Sequence, residues 1–420
     1  GLEQQAYLKA SDAESSDAFG REIDLSRNTL AVGVPGKGFR VTGTDILSGQ
    51  PATGVITHGA VLVFSRSSGI WRQQAYLTDG KDVEDYYCAA RDEYIFHRGY
   101  FCGRENFDLR DEYPSSPPVH GDGFGRSVAT LGDTLVVGAP GRRRANANSD
   151  GKVYVYTRKN GLWNQTALLS GLTHDYDGSD QFGYALALSG DTLAVGAPSQ
   201  YGVVHVFTRK DGIWKRTGLL RASNAGRGDG FGSALAISGD TIVVGAPGED
   251  SLRSDGYDNH AQNSGAVYIF TRSNEDWKQT AFLKHPNSNT YKYLIEDDKF
   301  GSSVALWGNT IAIGAPGDYA HPARRGLLNG IGTVHMFLKS NGSWVHEAQI
   351  SSPQDTYIAS SIGRHIALSE NVLVVGSPGY KTNEDGSNED RTILGPGGLA
   401  QIFTRQNGIW DLTSYLQSSN

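Results

Sequence analysis

Three acidic segments contain the carboxylates whose spacing could hold a cation. In the first, Asp175, Asp177 and Asp180 alternate within "DYDGSD", and a Gly sits at the fourth place. The other two segments are looser clusters, made of Asp250, Asp255 and Asp258 and of Asp385 and Asp390. Alternating oxygen ligands around a Gly turn are typical of Ca²⁺ loops, although the bidentate Glu of an EF-type loop is missing. Asp175, Asp177 and Asp180 are therefore candidate Ca²⁺ ligands, and a solvated acidic surface is the alternative.

The chain has only two cysteines, and both lie in one polar insertion at about residues 79–120. Cys88 and Cys102 are close enough in sequence to close a small loop. Two free thiols are the alternative, but an exposed segment rich in Tyr favours a Cys88–Cys102 disulfide. Such a bond would indicate an oxidising, extracellular setting.

The same insertion is rich in aromatic and Arg side chains. Tyr94, Phe96 and Tyr100 are the aromatic residues of this segment that we take as candidate contact residues. Tyr and Arg are enriched where proteins bind one another, so the insertion could form an interface. The alternative is a loop that packs on its own sheet. His97, Arg98 and Tyr100 are also close enough in sequence to conceal a catalytic group, although no spacing demands one.

No catalytic motif is present elsewhere in the sequence. The 11 His residues are scattered without a metal-binding spacing such as HExxH, and no nucleophile-elbow motif surrounds a Ser. His205 and His335 occupy equivalent positions in repeated strands, where strand packing explains them better than catalysis does. We therefore expect no catalytic residues, no cofactor other than Ca²⁺, and no enzymatic activity.

One sequence motif is repeated along the chain, and the structure that it forms must position all of these groups. It reads "FGSALAISGDTIVVGAP" at Phe231 and recurs closely at three other Phe residues: Phe124, Phe182 and Phe300. Looser copies begin at Phe19 and Ile362, which makes six. Its apolar residues alternate with period two, and the central "GD" or "GN" suits a tight hairpin, so each copy predicts two antiparallel strands.

Each copy continues in the same way. After a loop comes an alternating run such as "GAVYIFTR", then a short turn, a Trp and one more strand. The six Trp residues of these turns are Trp71, Trp163, Trp214, Trp277, Trp344 and Trp410. Each unit is therefore a four-stranded antiparallel meander, and each Trp is expected to pack between neighbouring units. Such sheets bury both faces only by stacking, which predicts an all-β fold, a β-propeller of six blades, with seven as the alternative.

The six phased copies resemble the FG-GAP repeat family, which is known from integrin α-chain heads and from bacterial and algal surface proteins. The resemblance covers almost the whole chain and implies a single β-propeller domain over residues 1–420. Integrin-type repeats often carry a calcium loop between their first two strands. Here that place holds only "SGDT"-like hairpins, so the calcium sites of the family do not carry over.

The N-terminus contributes a surplus strand. Residues 1–10 contain "QQAYLKA", which matches the fourth strand "RQQAYLT" of the first unit. Three placements are open: closing the ring of its own molecule, lying fifth on a blade edge, or adding to a neighbouring molecule. For the last, we expect head-to-tail polymers with Leu2, Tyr7 and Leu8 in the interface.

Composition limits the partners. The formal net charge is −7 with no basic domain, which argues against a nucleic-acid partner. No apolar run of membrane-spanning length exists. We expect a non-enzymatic module located outside the cell or on its surface, which serves as a surface or filament subunit. Its expected partner is a second copy of itself, another protein or a glycan. A glycan-binding or adhesive propeller is one alternative, and a propeller polysaccharide lyase or hydrolase is another. Asn164 and Asn341 lie in sequons that could carry sugar in a secretory pathway.

Overall fold

The structure is a computed structural model of the full chain. It describes residues 6–10, 17–44, 51–79, 120–141, 151–171, 181–251, 261–286, 297–318, 332–351, 361–377 and 399–417. All regular elements in these ranges are β-strands, and a membrane-spanning helix is absent from them. The chain forms two compact units that divide between Ser179 and Asp180.

The first unit contains blades 1 and 2. The strands of blade 1 are β1 (Glu22–Ser26), β2 (Thr29–Val34), β4 (Pro51–Ser67) and β5 (Ile70–Leu77), and β3 (Gly38–Thr44) and β6 (His120–Phe124) are added to them. The strands of blade 2 are β7 (Ser127–Leu131), β8 (Thr134–Ala139), β9 (Lys152–Lys159) and β10 (Leu162–Ser170). Blade 1 departs from the simple repeat because β4 extends beyond the blade and pairs with β3 in a ribbon. The sequence predicted only a loop there.

The second unit contains four regular blades. Blade 3 consists of β11 (Ala185–Ser189), β12 (Thr192–Ala197), β13 (Val203–Lys210) and β14 (Ile213–Leu220). Blade 4 consists of β15 (Ala234–Ser238), β16 (Thr241–Ala246), β17 (Ala266–Ser273) and β18 (Asp276–Leu283). Blade 5 consists of β19 (Ser303–Trp307), β20 (Thr310–Ala315), β21 (Thr333–Ser340) and β22 (Ser343–Ile350). Blade 6 consists of β23 (His365–Ser369), β24 (Val372–Ser377), β25 (Leu399–Gln406) and β26 (Ile409–Gln417). The predicted all-β, six-bladed propeller fold is confirmed.

The two glycines of the repeat allow adjacent blades to approach backbone to backbone. Gly301 has a φ of +90°, and a Cβ there would lie 2.5 Å from the carbonyl oxygen of Ala266 in the preceding blade. A Cβ on Gly245 of blade 4 would in turn collide with the carbonyl oxygen of Gly301. Only residues without a side chain fit such a contact, which explains why the repeat keeps Gly at both places.

Four of the repeated Trp residues, Trp163, Trp277, Trp344 and Trp410, pack at seams between blades, as predicted. Trp277 packs against a buried cluster that draws on blades 3 and 4, and Trp344 against one that draws on blades 4 and 5. Phe300, at the start of the fifth copy, is fully buried in the second cluster. Burying such an aromatic side chain contributes about 2–3 kcal/mol, so the FG and Trp positions together hold each seam.

Every outermost strand carries a β-bulge. In blade 5 the register shifts so that Met336 faces Ala348 but Phe337 faces His346, and Glu347 is the extra residue. The same shift occurs in the outermost strand pairs of the other five blades. A bulge breaks the alternation of side chains, so residues on either side of it turn to different faces than a regular strand would allow.

Candidate functional site

A buried cluster of His and Asp side chains lies where blades 4 and 5 meet. Asp318 follows the "GAPG" turn that ends β20, His335 lies on β21, and His285 comes two residues after β18 of blade 4. His285 and Asp318 are 33 positions apart in the sequence, and Asp318 and His335 are 17 apart. They come together because the strand ends of adjacent blades meet at the seam. One ligand atom from each of the three lies within 4.8 Å of the others.

The backbone holds Asp318 firmly. Its N–H donates to the carbonyl of Ala315 at 3.1 Å, and its own carbonyl accepts from the N–H of Gly332 at 2.8 Å. The neighbouring Gly317 donates its N–H to the carbonyl of Asp298 at 3.0 Å. The turn after β20 is therefore tied both to β21 and to the segment before β19, which fixes the direction of the Asp318 side chain.

The hydrogen bonds of the site centre on one carboxylate oxygen, Asp318 Oδ2. His285 Nε2 lies 3.2 Å from this oxygen, and His335 Nε2 lies 3.6 Å from it. The hydroxyl of Thr333 donates to it at 2.7 Å and also lies 3.0 Å from His335 Nε2. The amide of Gln349 approaches it at 3.5 Å. Four polar side chains therefore surround Asp318 Oδ2.

The protonation states of the site suit metal coordination. Burial raises the pKa of Asp318, but hydrogen bonds from His285, His335 and Thr333 outweigh it, so that pKa lies far below its usual range. Burial lowers the pKa of His335 to about 4. At neutral pH the site therefore offers a charged carboxylate and an uncharged imidazole, which are the forms that bind a metal ion.

Two residues connect the buried site with the surface. His346 is half-buried on β22, and its Nε2 lies 3.3 Å from His335 Nδ1. Gln349, on the same strand, is exposed while its amide reaches Asp318. The side chains of His285, His335 and Asp318 themselves are 2%, 0% and 8% exposed. The site is therefore enclosed but only one side chain away from solvent.

Blade 4 has a related network at the equivalent place. Glu249 follows the same "GAPG" turn, and its carboxylate pairs with Lys284 Nζ at 2.6 Å. Lys284 also donates to the hydroxyl of Ser264 and the carbonyl of Gly265. Asn224 donates to Glu249 at 2.9 Å and accepts from the hydroxyl of Tyr268 at 2.7 Å. This network is a buried ion pair with its hydrogen bonds provided by the chain.

Most sequence-predicted site residues fall outside the described residues. This holds for the Ca²⁺ candidates Asp175, Asp177 and Asp180, for Cys88 and Cys102, and for Leu2, Tyr94, Phe96 and Tyr100. Asp255, Asp258, Asp385 and Asp390 lie outside them too, whereas Asp250 accepts a hydrogen bond from the N–H of Asn263 at 2.7 Å. The structure therefore brings no described residue of these sets into a site.

Tyr7 and Leu8 belong to the described segment 6–10, which has no strand assignment. Tyr7 is 69% exposed, whereas Leu8 packs against the buried cluster of blade 1 that contains Val32 and Leu62. Whether residues 1–5 extend this segment lies outside what the structure describes.

The His/Asp site was not predicted from the sequence. His335 was assigned to strand packing together with His205, and neither His285 nor Asp318 was a candidate. For His205 the packing interpretation agrees with the structure, because its ring lies edge-on to Phe182 at 5.1 Å and neither nitrogen has a hydrogen-bond partner among the described residues. A signal did exist: after "GAPG" the copies change from Glu249 to Asp318, and Lys284 is followed by His285.

Two solved structures resemble the chain over most of its length. One is the periplasmic gluconolactonase of Pseudomonas aeruginosa, with 12% identity, a TM-score of 0.49, and coverage of 94% of this chain and 84% of that chain. The other is a putative 6-phosphogluconolactonase from Bacteroides uniformis, with 9% identity, a TM-score of 0.49, and coverage of 95% and 88%. No curated protein matches the sequence. At these values neither structure passes its activity or its site residues to this chain.

The main functional expectation from the sequence needs correction. It was a non-enzymatic module that assembles into a surface layer or filament, whereas the solved structures that resemble the chain bear the names of enzymes. The bulged outermost strands also interrupt the regular edge that strand addition would use. The findings agree better with the enzymatic alternative, and the self-assembling module is not retained.

The sequence itself matches the FG-GAP repeat model in five segments: residues 2–45, 118–156, 163–207, 214–270 and 295–335. Together they cover more than half of the chain, and they follow the phase of the blades described above. The predicted resemblance is confirmed. The chain belongs to the FG-GAP repeat family.

Proposed function

We propose that this chain is a hydrolase whose reaction depends on a transition-metal dication held by His285, Asp318 and His335. The observation that carries the proposal is the convergence of two imidazoles and a charged carboxylate within 4.8 Å in a buried place. Buried ionisable groups that meet with shifted pKa values are typical of functional sites.

The donor set indicates the class of metal. Two imidazole nitrogens and one carboxylate oxygen suit Zn²⁺ and similar first-row ions, whereas Ca²⁺ and Mg²⁺ prefer oxygen ligands throughout. Structural Zn²⁺ sites usually have four protein ligands, and catalytic ones have three with a position left open. The three gathered ligands therefore fit a catalytic site better than a structural one.

When bound, Zn²⁺ would supply Lewis acidity for the activation of water. The chain's own residues would do the rest. His285 comes from blade 4 while Asp318 and His335 come from blade 5, so the seam between these two blades orients the ligands. Thr333 holds the Asp318 carboxylate through its hydroxyl, and Gln349 and His346 mark the side from which a substrate would approach.

Two measurements on the full chain test the proposal. The protein is stripped with a chelator, reloaded with Zn²⁺, and its metal content is measured by mass spectrometry. Hydrolysis is then followed on a panel of sugar lactones, aryl esters and oligosaccharides, with and without metal. We expect about one Zn²⁺ per chain and a metal-dependent hydrolysis of at least one substrate class.

Matched variants separate the site from the fold. Asp318→Asn and His335→Gln should lose Zn²⁺ and hydrolysis, whereas His205→Gln, at the equivalent strand position of blade 3, should keep both. Circular dichroism confirms that each variant is folded. Wild-type protein that binds no metal, or hydrolysis unchanged in Asp318→Asn, would refute the proposed site.

We also propose that the chain acts outside the cytoplasm. Membership of the FG-GAP family supports this, because the repeat is known from integrin heads and other surface proteins. The Cys88–Cys102 disulfide and a Ca²⁺ site at Asp175, Asp177 and Asp180 remain predictions from the sequence.

A further inference from the structure

We infer that His346 is a positioning residue that sets the tautomer of His335, by accepting a hydrogen bond from His335 Nδ1–H. The inference rests on the proposed function, because it assigns His335 Nε2 the role of a metal ligand. His335 Nδ1 and His346 Nε2 are 3.3 Å apart. The opposite nitrogen, His335 Nε2, lies 3.6 Å from Asp318 Oδ2 and so points to the place where the ligand atoms converge.

The need for such a partner is general. A metal-binding imidazole uses one nitrogen for the metal, and its other N–H almost always donates to a second group that fixes the ring. Neutral imidazole carries its single proton on only one of the two nitrogens. A metal ion on Nε2 displaces the proton that this nitrogen otherwise directs at Thr333 and Asp318, so the remaining proton lies on Nδ1, where His346 accepts it.

The β-bulge of β22 places His346 correctly. Gln349 faces His335 across the strand pair, and a regular alternation would put residue 347 opposite Phe337 on the same face. The extra residue shifts the register, so His346 takes that place instead. The ring of His346 then packs edge-on against Phe337, with centroids 5.2 Å apart, which limits its rotation.

The other blades show that the fold does not require His at this position. The residues at the equivalent position are Gln73, Gln165, Arg216, Gln279 and Leu412. Blade 3 is the informative case because it also has a buried His, His205, on the third strand. There the equivalent residue is Arg216, which has no acceptor atom and so cannot receive an imidazole N–H.

The experiment compares three substitutions in the full-length protein. His346→Gln keeps an acceptor oxygen, His346→Leu removes it, and His346→Arg copies blade 3. The Zn²⁺ dissociation constant is measured by competition with a chromophoric chelator, and the visible spectrum of the Co²⁺-loaded protein reports ligand geometry. We expect Leu and Arg to weaken Zn²⁺ binding about 10–100-fold and to alter the Co²⁺ spectrum. The His346→Gln variant should keep a Zn²⁺ dissociation constant and a Co²⁺ spectrum close to those of the wild type.

A second measurement follows the proton on His335 directly. Histidine labelled with ¹⁵N in the ring reports the tautomer of each residue by NMR, and the His335→Gln spectrum identifies the His335 signals. In the metal-free protein Thr333 donates its hydroxyl proton to Asp318, so we expect the proton of His335 on Nε2, facing Thr333. In the Zn²⁺-loaded protein we expect the proton on Nδ1, with slow solvent exchange in wild type and in His346→Gln and fast exchange in His346→Leu.

The outcomes distinguish the two proposals. Equal Zn²⁺ affinity in all three variants, or equal exchange of the His335 Nδ1–H in the Zn²⁺-loaded variants, overturns the inference and leaves the metal site standing. Failure of the wild type to bind Zn²⁺ overturns the proposed hydrolase itself. Arg216→Leu in blade 3 is the control, and it should change neither measurement.

Discussion

Blades 4 and 5 use the same position of the repeat, the acidic residue after the "GAPG" turn, in two different ways. In blade 4 the carboxylate of Glu249 is paired with the ammonium group of Lys284, and both side chains are 2% exposed. In blade 5 the carboxylate of Asp318 faces the imidazoles of His285 and His335. Lys284 and His285 are neighbours in sequence, and they serve the two networks separately.

The difference lies in what neutralises the carboxylate. A lysine brings a fixed positive charge and has no lone pair for a metal, so the blade 4 pair is complete within the chain. Imidazoles have lone pairs when neutral, so the blade 5 site can be completed by a cation from outside. In these two copies the residue after the "GAPG" turn is acidic, and the side chains that face it decide between a structural ion pair and a binding site.

The largest expected effect breaks the blade 4 pair. Glu249→Gln leaves the ammonium group of Lys284 buried without its counter-charge, and we expect the free energy of unfolding to fall by about 3–5 kcal/mol. Urea denaturation followed by circular dichroism measures this. Asp318→Asn is the matched control and should cost much less, since its partners can be uncharged. Equal losses in the two variants would mean that the networks do not differ as described.

A second substitution would convert one network into the other. His285→Lys places an ammonium group beside Asp318, as Lys284 does beside Glu249. We expect Zn²⁺ affinity to fall at least about 100-fold while the fold is kept, because a lysine that is paired with the carboxylate blocks the site. Chelator competition measures the affinity. Ile213→Lys, at a side chain that is 60% exposed on β14 of blade 3, controls for the added charge. Unchanged Zn²⁺ binding would contradict the assignment of His285 as a ligand.

The smallest effect concerns His205, the blade 3 counterpart of His335. Burial, and then the charges of Arg216 and Arg221, lower its pKa from 6.5 to about 4. Between pH 4 and pH 6.5 the unfolded chain therefore binds more protons at His205 than the folded chain does. As a result, the free energy of unfolding falls as the pH is lowered from 6.5 towards 4, whereas above pH 6.5 His205 has no effect on its pH dependence. Between pH 7 and pH 5 the loss amounts to about 2 kcal/mol.

His205→Gln should remove this part of the pH dependence. Urea denaturation of wild type and variant at pH 7 and pH 5 tests it, and contributions from carboxylates cancel in the comparison. A variant that loses as much stability as the wild type over this range would show that His205 does not titrate as proposed.

Much of the fold could be predicted from the sequence because each blade is specified locally. Alternating apolar residues fix the strands, "GD" fixes the first hairpin, and the FG and GAP glycines fix the seams. The ribbon of β3 and β4 was missed because its residues follow no copy of the repeat. The ribbon forms by pairing between two strands of a segment that the other copies lack, so comparison of the copies could not predict it.

The candidate site could not be predicted in the same way. Its three residues come from two blades and from three different places in the repeat, so no spacing in the sequence links them. His335 looked like His205 because each is the third residue of the third strand of its blade. Each has the Phe of its FG motif beside it, but His335 also has Asp318 and His346, whereas His205 has the charge of Arg216 nearby. Only the packing of the blades shows which His has ligands for neighbours.

The bulge in β22 gives the outermost strand a property that a regular strand lacks. Trp344 and His346, before the extra residue, face the seam with blade 4, whereas Ala348 and Ile350, after it, pack in the cluster shared with blade 6. A substitution of His346 can therefore change the His/Asp site without changing Ala348 and Ile350, which pack at the second seam. In evolutionary terms, a duplicated blade with this bulge can acquire chemistry at one seam while the residues that pack at the other seam are kept.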